Sequence, residues 1–392
     1  MSEKVKKISL PVGIGIACTW FSAHCGSGFA SGRTMIQYYT KHGWTAVWAP
    51  IITWVIMGLM VYFAMEFSLI TKSTNYKQFV QKFYAPNSVV GGRVFITMWD
   101  VLNILATMIG MASVIAGGAQ LLLQSFGIPY ILSALITIAI IVLAISFGGK
   151  VLMRFSTYIT IFLIITIILI SISMLSASEN WNNLQAIVGG RVMSEGSTVF
   201  GAIKDAVGYA GLQACATLAV MIALTPEINK KSDLGASAIG GTILNFVMLM
   251  LFIFAMLSLY PSINGEALGI LTVLQTGGNP VLLVSYQILL FGALITTGAS
   301  AAFGTLSRWQ HIGQNVIPNI TTRKIILSTI LIGVGFSLSL MGLVAVIARG
   351  FGLLSVLVTP GVVAPVILLG PYRIKQAKKA AAAAAAADGS AN

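Results

Sequence analysis

Charged residues are scarce in this chain, and their scarcity is the first guide to its class. Only 8% of the 392 residues are charged and 57% are hydrophobic, whereas a soluble protein carries about 25% charged residues. The three cysteines, Cys18, Cys25 and Cys215, lie in apolar segments and have neither the spacing of metal ligands nor that of a disulfide framework. The composition therefore predicts an integral membrane protein without a sizeable soluble domain.

Long apolar segments are what the chain has in abundance. A helix needs about 20 apolar residues to cross a bilayer, and such segments recur along the whole sequence. With glycine, proline and charge as boundaries, they predict an all-α integral membrane fold of about ten transmembrane helices. The predicted spans are 8–39, 44–70, 92–125, 130–148, 153–176, 197–226, 234–261, 279–307, 323–346 and 350–372.

The basic residues support this map. If the amino terminus is cytoplasmic, 18 of the 23 lysines and arginines fall at the cytoplasmic ends of the predicted spans. Basic residues concentrate in cytoplasmic connections of membrane proteins. The net charge of +13 therefore indicates membrane topology, with both termini inside, rather than a nucleic-acid partner. The five residues elsewhere are Arg33, Lys41, Arg191, Lys204 and Arg349.

The first span is interrupted in its own middle. Between Ser22 and Gly32 the sequence is small and polar, with glycine at Gly26, Gly28 and Gly32, and it is apolar on both sides. Glycine costs about 1 kcal/mol against alanine inside a helix. Backbone groups freed within a bilayer must face protein, water or a ligand. The interruption therefore predicts an unwound binding segment near mid-membrane, as in secondary transporters, although close helix packing through small residues is the alternative.

The same segment carries a family resemblance. Residues 25–33, Cys-Gly-Ser-Gly-Phe-Ala-Ser-Gly-Arg, resemble the Gly-Ala-Gly-Phe-Ala-Ser-Gly-Gln-Glu signature of the bacterial YkvI-like membrane proteins, relatives of the LeuT-fold symporters of the amino acid-polyamine-cation superfamily. The chain departs from the signature at Arg33 and Thr34. The resemblance implies a LeuT-like fold with a five-plus-five inverted repeat, broken first and sixth helices and a place in the bacterial inner membrane.

Such a fold implies a single transmembrane domain over residues 1–379, with repeats at 8–176 and 197–372. The sixth span has a glycine pair, Gly208 and Gly211, at about the depth of the first break. We therefore expect breaks in both spans. Residues 380–392, an alanine run followed by Asp-Gly-Ser-Ala-Asn, are expected to be an added tail without a functional role.

A zwitterionic solute suits such breaks. Backbone N–H groups at a helix start attract a carboxylate, and carbonyls at a helix end attract an ammonium group. We expect an amino acid or a derivative to be the solute, carried by alternating access without a cofactor or an obligate protein partner. The expected substrate-binding residues are His24, Gly26, Ser27, Gly28, Gly208, Tyr209, Gly211 and Gln213.

The resemblance also implies a coupling ion. In symporters of this fold, Na⁺ lies between carbonyls of the broken first helix and hydroxyls of the eighth. The matching positions here are the carbonyls of Ser22, Cys25 and Ala293 and the hydroxyls of Thr296 and Thr297. Threonine hydroxyls in membrane helices also bond to their own backbone, so packing is the alternative reading of the pair.

Ionisable residues within membrane spans are functional candidates by default. Arg33 and Asp205 lie on the outer halves of the first and sixth spans, which predicts an outer gate between them. Asp100 and His24 are candidates for proton coupling, so a proton-coupled or uncoupled transporter is the alternative to a Na⁺ symporter. An embedded enzyme or a channel is less favoured, because no nucleophile, metal cluster or continuous polar pore is recognisable.

Overall fold

The computed structural model describes residues 12–146, 149–228, 230–309 and 314–390, and every regular element in these ranges is helical. The first four residues of the predicted first span, 8–11, and the lysines before them lie outside the described residues. The α-helices are α1 Val12–His24, α2 Ser27–Ala30, α3 Arg33–Tyr38, α4 Ala49–Thr71, α5 Tyr76–Tyr84, α6 Val89–Phe126, α7 Tyr130–Ser146, α8 Gly149–Ser176, α9 Ser178–Gly189, α10 Val199–Ala223, α11 Lys231–Leu257, α12 Gly269–Gly277, α13 Pro280–Trp309, α14 Ile320–Ser339, α15 Leu343–Ala345, α16 Gly352–Val358 and α17 Ala364–Ser390.

Short 3₁₀ segments cover Thr40–Val47, Thr225–Glu227 and Ser262–Gly265, and π-helical turns cover Val346–Phe351 and Thr359–Val363. Among the described residues, eight helical stretches are long and apolar enough to cross a membrane, and two shorter apolar helices, Val12–His24 and Tyr130–Ile145, accompany them. Large apolar side chains face outward, for example Phe200 at 76% and Leu368 at 75% exposure. Lipid is the medium that covers such a surface, so the predicted membrane fold is confirmed.

The helix ends gather at two faces of the bundle. At one face, Gly13 near the start of α1 packs against Asp233 near the start of α11, and Lys378 of α17 contacts Glu66 near the end of α4 at 2.7 Å. We call this the terminal face. At the other, the opposite face, the 3₁₀ segment Thr40–Val47 meets the start of α10. The basic-residue pattern predicts that the terminal face is cytoplasmic and that the opposite face is exterior.

The sixth predicted span is not broken. α10 runs without interruption from Val199 to Ala223. A side chain at Gly208 would meet Ser355 of α16, and one at Gly211 would overlap Thr359. These glycines therefore let two helices approach closely, as small residues do in membrane proteins, and the expected second break is corrected.

The boundary between the last two predicted spans also shifts. α14 ends at Ser339, and the chain turns at Gly342, whose φ is +82°. The predicted boundary lay between residues 346 and 350. Arg349 is exposed within the following helical stretch instead of marking its start. At the carboxyl end, α17 continues as a helix through the alanine run to Ser390, in keeping with the high helix propensity of alanine.

Candidate functional site

The predicted break in the first span is present. α1 ends at His24, and Cys25 and Gly26 separate it from the four-residue α2. Gly26 is extended, with φ −83° and ψ −171°, and its N–H donates to the carbonyl of His24 instead of continuing the helical ladder. In this described segment no backbone N–H donates to the carbonyl of Ser22 or Cys25. Two of the predicted ion ligands are therefore open to another partner.

Helix α13 lies beside the break. A side-chain carbon placed on Gly26 would come within 3.9 Å of the Thr297 methyl group, near the middle of α13. The Tyr286 hydroxyl of α13 also donates to the carbonyl of Ala30 in α2. Thr296 donates to the carbonyl of Ala293 at 3.1 Å, which is the local bond that threonine often makes in helices. The structure thus places Thr297 beside Gly26 of the break, and ion coordination by the predicted residues stays a prediction.

Ser27 and Gly28, two of the substrate residues predicted in the first span, face different parts of the bundle. Ser27 is hydrogen-bonded to Ser113 of α6, and both hydroxyls are buried. Gly28 lies against Thr34 and Phe351. Ser113 was not predicted as a site residue. It lies among the small residues of α6 between Gly110 and Gly117, which allow α6 to approach the break.

His24 joins the break to α10. Its Nε2 and the Tyr209 hydroxyl are 2.7 Å apart, and both residues are buried. The rings of Phe29 and Trp54 pack edge-on against the imidazole, with centroids 4.8 and 4.9 Å away. Gln213, one turn after Tyr209, lies beside the tyrosine hydroxyl. Tyr209 and Gln213 therefore join the site, whereas Gly208 and Gly211 face α16 and the turn after it.

Several polar atoms around His24 are buried without a hydrogen-bond partner among the described residues. They are His24 Nδ1, Asn245 Oδ1, Trp20 Nε1 and Trp54 Nε1. The Asn245 side chain lies beside His24, and its Nδ2 donates to the carbonyl of Gly241 at 2.7 Å, so its oxygen is left to accept. A buried unpaired polar atom is costly, so these atoms can bind polar groups of a ligand or water, with the two indole N–H groups as donors and the Asn245 oxygen as an acceptor. The signal for Asn245 was a lone amide inside an apolar span.

The predicted gate residues are both at the opposite face but use other partners. Arg33 is only 5% exposed, and its Nη1 donates to the carbonyls of Asn264 and Glu266 at 2.9 and 2.8 Å. Asp205 accepts from Lys41 at 2.6 Å and contacts His42 Nε2 at 2.9 Å. The expected pair between Arg33 and Asp205 is therefore wrong for this conformation. Arg33 binds carbonyls of the loop after α11, and Asp205 binds side chains of the 3₁₀ segment Thr40–Val47.

The two sides of the break differ in how deeply their residues are buried. Toward the opposite face, α2 and α3 are buried and Arg33 holds the loop that follows α11. Toward the terminal face, α1 packs on α11 and α10 and leaves Cys18, Thr19 and Ala23 exposed, as is Ser300 on α13. Between the break and the terminal face, α1 therefore has an exposed side, whereas α2 and α3 on the other side of the break are buried.

Asp100, the other coupling candidate, lies away from the break. It accepts from the Tyr76 hydroxyl of α5 at 2.6 Å. It precedes Ser113 by 13 residues on α6, about 20 Å along the helix axis. A direct contact with a solute at the break is excluded for Asp100 in this conformation.

The fold and the unwound first span define the class of protein: the chain has the fold of the LeuT-like transporters. Mhp1 in its inward-facing conformation matches with a TM-score of 0.59 and 13% identity, over 94% of this chain and 91% of that one. A Na⁺-coupled sialic acid symporter in a substrate-bound outward-open state matches at 0.57 and 16%, over 90% and 78%. A manganese transporter of Eremococcus coleocola matches at 0.56 and 15%, over 95% and 88%.

In sequence, the chain is similar to the uncharacterized membrane protein YkvI of Bacillus subtilis strain 168. The identity is 23% over 293 residues, which are 74% of this chain and 78% of that protein. This similarity confirms the resemblance that the first-span motif indicated. No family model matches the chain. Two of these solved structures, the sialic acid symporter and the manganese transporter, are transporters by name.

Proposed function

We propose that the chain is a secondary active transporter that moves a small zwitterionic solute, an amino acid or a derivative, by alternating access. The observation that carries this proposal is the unwound segment at Cys25 and Gly26 between two helices of an apolar span. A break within the bilayer is the usual way for a transporter to present backbone groups to a solute.

The solute would lie where α1, α6, α10 and α13 meet the break. N–H groups at the start of α2 favour its carboxylate, and the unpaired oxygen of Asn245 and the hydroxyl of Tyr209 can accept from its ammonium group. His24 links these two positions. A zwitterion satisfies both kinds of group at once, and a hydrocarbon would satisfy neither.

We assign the coupling ion as Na⁺. The carbonyls of Ser22 and Cys25 have no backbone donor, and Thr297 lies against Gly26. With the carbonyl of Ala293 and the hydroxyl of Thr296 they would make a small cage of neutral oxygens, which suits a hard monovalent cation. Because such an ion contacts both α1 and α13, it favours one arrangement of the two, and it should tighten solute binding by the same factor as the solute tightens ion binding.

We further propose an inner-membrane protein with both termini in the cytoplasm, as the basic residues predict, so that the opposite face is the outer one and is closed by Arg33 and the 3₁₀ segment. Opening outward would then require Arg33 to release the carbonyls of Asn264 and Glu266, and the 3₁₀ segment to move from Asp205. Charge-assisted hydrogen bonds contribute about 1.5–3 kcal/mol each, so these contacts can set the balance between the two states.

Proton coupling is the competing assignment, and one observation favours it. His24 is buried at the break beside Asn245, and its Nδ1 and the Asn245 Oδ1 each lack a hydrogen-bond partner among the described residues. An added proton on Nδ1 could be shared with that oxygen. His24→Gln keeps a polar side chain and removes this titration.

Uptake in proteoliposomes tests both assignments. Purified protein is reconstituted and given a panel of radiolabelled amino acids under a Na⁺ gradient alone or a pH gradient alone. The proposal expects concentrative uptake of one amino acid class under the Na⁺ gradient, with His24→Gln still Na⁺-driven. Uptake that follows only the pH gradient and disappears in His24→Gln would replace Na⁺ by a proton, and no uptake of any zwitterion would overturn the solute class.

A further inference from the structure

A cavity at the terminal face has the features of a binding site apart from the break. It measures about 530 Å³ and lies between the end of α4, α5, the loop after α5 and α17. Its polar lining consists of Thr71, Lys82, Asn87, Arg373, Gln376 and Lys379. Nothing in the transport proposal uses this cavity.

The charge of the cavity has one sign. Three of the lining side chains, Lys82, Arg373 and Lys379, are cationic, and the lining residues, all of them described, include no carboxylate. The nearby carboxylate of Glu66 belongs to a neighbouring pocket and is engaged by Lys378 at 2.7 Å. Clustered charge of one sign in a concave, low-dielectric wall attracts ligands of the other sign, so the cavity suits an anion.

Arg373 lines the cavity with a guanidinium group that is only partly engaged. Its Nη1 donates to Gln376 Oε1 at 3.2 Å, while its Nε is buried and has no hydrogen-bond partner among the described residues. The Nε–H and the second Nη together make the planar fork that binds two oxygens of one phosphate. Lys82 donates to the carbonyl of Thr71 at 2.5 Å, which holds its ammonium group at the cavity.

The surroundings favour a lipid over a soluble anion. Val89 and Val90 follow Asn87 and are 69% and 73% exposed, and Tyr372, next to Arg373, is 57% exposed and bonded to Gln376. Apolar side chains so exposed at the edge of a membrane bundle lie against acyl chains. Basic pockets between helices on the cytoplasmic side bind anionic lipid headgroups.

We propose that this cavity binds the headgroup of an anionic phospholipid, with its phosphate on the Arg373 fork and the ammonium groups of Lys82 and Lys379. The bound lipid would join α17 to the end of α4 and to α5.

Native mass spectrometry of the full-length protein tests this site. The protein is titrated in detergent with phosphatidylglycerol or with phosphatidylcholine, and bound lipids are counted. Arg373→Gln should weaken one phosphatidylglycerol site about tenfold, and Arg373→Lys should weaken it less. Lys375→Gln is the matched control, because Lys375 is exposed on the same helix and does not line the cavity. It should bind as the wild type does, and phosphatidylcholine should not occupy the site.

Equal phosphatidylglycerol binding by Arg373→Gln and Lys375→Gln would overturn the site. Displacement of the lipid by an equal concentration of inorganic phosphate would overturn the lipid assignment in favour of a soluble anion. If Arg373→Gln is not monodisperse in size-exclusion chromatography, Lys82→Gln serves in its place, with the same expected loss and the same contradicting result.

Discussion

The first span and α10 both carry glycines at mid-membrane, yet only the first span unwinds. In the first span, Cys25 and Gly26 leave the helix and α2 lasts four residues. In α10, Gly208 and Gly211 stay in a continuous helix. Similar composition therefore has two outcomes, and the surroundings of each segment account for the difference.

Side chains from other helices hold the unwound first span in place. The Tyr286 hydroxyl donates to the backbone carbonyl of Ala30, and the side-chain hydroxyls of Ser27 and Ser113 bond to each other. The glycines of α10 have different surroundings. Ser355 and Thr359 pack directly against Gly208 and Gly211, so the two helices lie close together there. Glycine thus permits either unwinding or close approach, and the partner helix decides which occurs.

The largest expected effect comes from Gly32, which separates α2 from α3. Its φ is +79°, and an added side-chain carbon would lie 2.9 Å from Ile270 and 3.2 Å from Met256. Gly32→Ala combines backbone strain with overlap, so it should lower the free energy of unfolding by about 2–5 kcal/mol. The measurement is the thermal unfolding midpoint in detergent.

Gly127→Ala is the control for Gly32→Ala. Gly127 has a similar φ of +69° but open space around it, so its alanine variant should lose only about 1 kcal/mol. Equal losses in both variants would show that the packing around Gly32 contributes nothing to the shape of the first span.

The second prediction concerns closure of the opposite face. Arg33→Gln removes charge-assisted bonds to the carbonyls of Asn264 and Glu266, so the outward-open state should gain about tenfold in population. Cys25 at the break is the reporter once Cys18 and Cys215 are replaced by serine. An impermeant thiol reagent at the opposite face should label it about tenfold faster.

Lys204→Gln is the control for Arg33→Gln, because it also removes one positive charge. Lys204 is exposed on α10, so this variant should keep the slow labelling of the parent protein. Unchanged labelling in Arg33→Gln would mean that Arg33 does not hold this face closed.

A smaller effect is expected at the ion site. Thr297→Val preserves shape and removes one oxygen, so the Na⁺ concentration for half-maximal uptake should rise several-fold, by about 1 kcal/mol of lost binding. Thr296→Val should act in the same direction, and Thr276→Val, on the exposed surface of α12, should not change it. Wild-type Na⁺ dependence in both site variants would contradict the assigned ligands.

The apolar segments and the first break could be predicted from the sequence because both depend on local composition. A run of about 20 apolar residues has few places to lie outside a membrane, and a Gly-Ser-Gly segment within one has few ways to remain a helix. His24 and Tyr209 were also identified, since a polar residue is conspicuous in an apolar span.

Contacts between distant segments could not be predicted in this way. Arg33 and Asp205 were paired by depth alone, whereas their actual partners, Asn264, Glu266 and Lys41, are brought close by turns that no periodicity encodes. Ser113 was missed for the same reason, because it gains its role only when α6 is placed against the break. Asn245 is conspicuous as an amide in an apolar span, but only the structure places it beside His24.

The central claim is that the glycines of the first span serve transport and those of α10 serve packing. Uptake per folded transporter, measured in proteoliposomes with thermal unfolding of the same samples, tests it in Gly26→Ala and Gly211→Ala. Gly26 has room for a methyl group, with Thr297 3.9 Å away, whereas one on Gly211 would overlap Thr359. The account predicts that Gly26→Ala unfolds like the wild type with uptake reduced about tenfold or more, and that Gly211→Ala loses about 1–3 kcal/mol of stability while its folded fraction still transports. Normal uptake in Gly26→Ala, or a loss of uptake in step with stability in both variants, would contradict it.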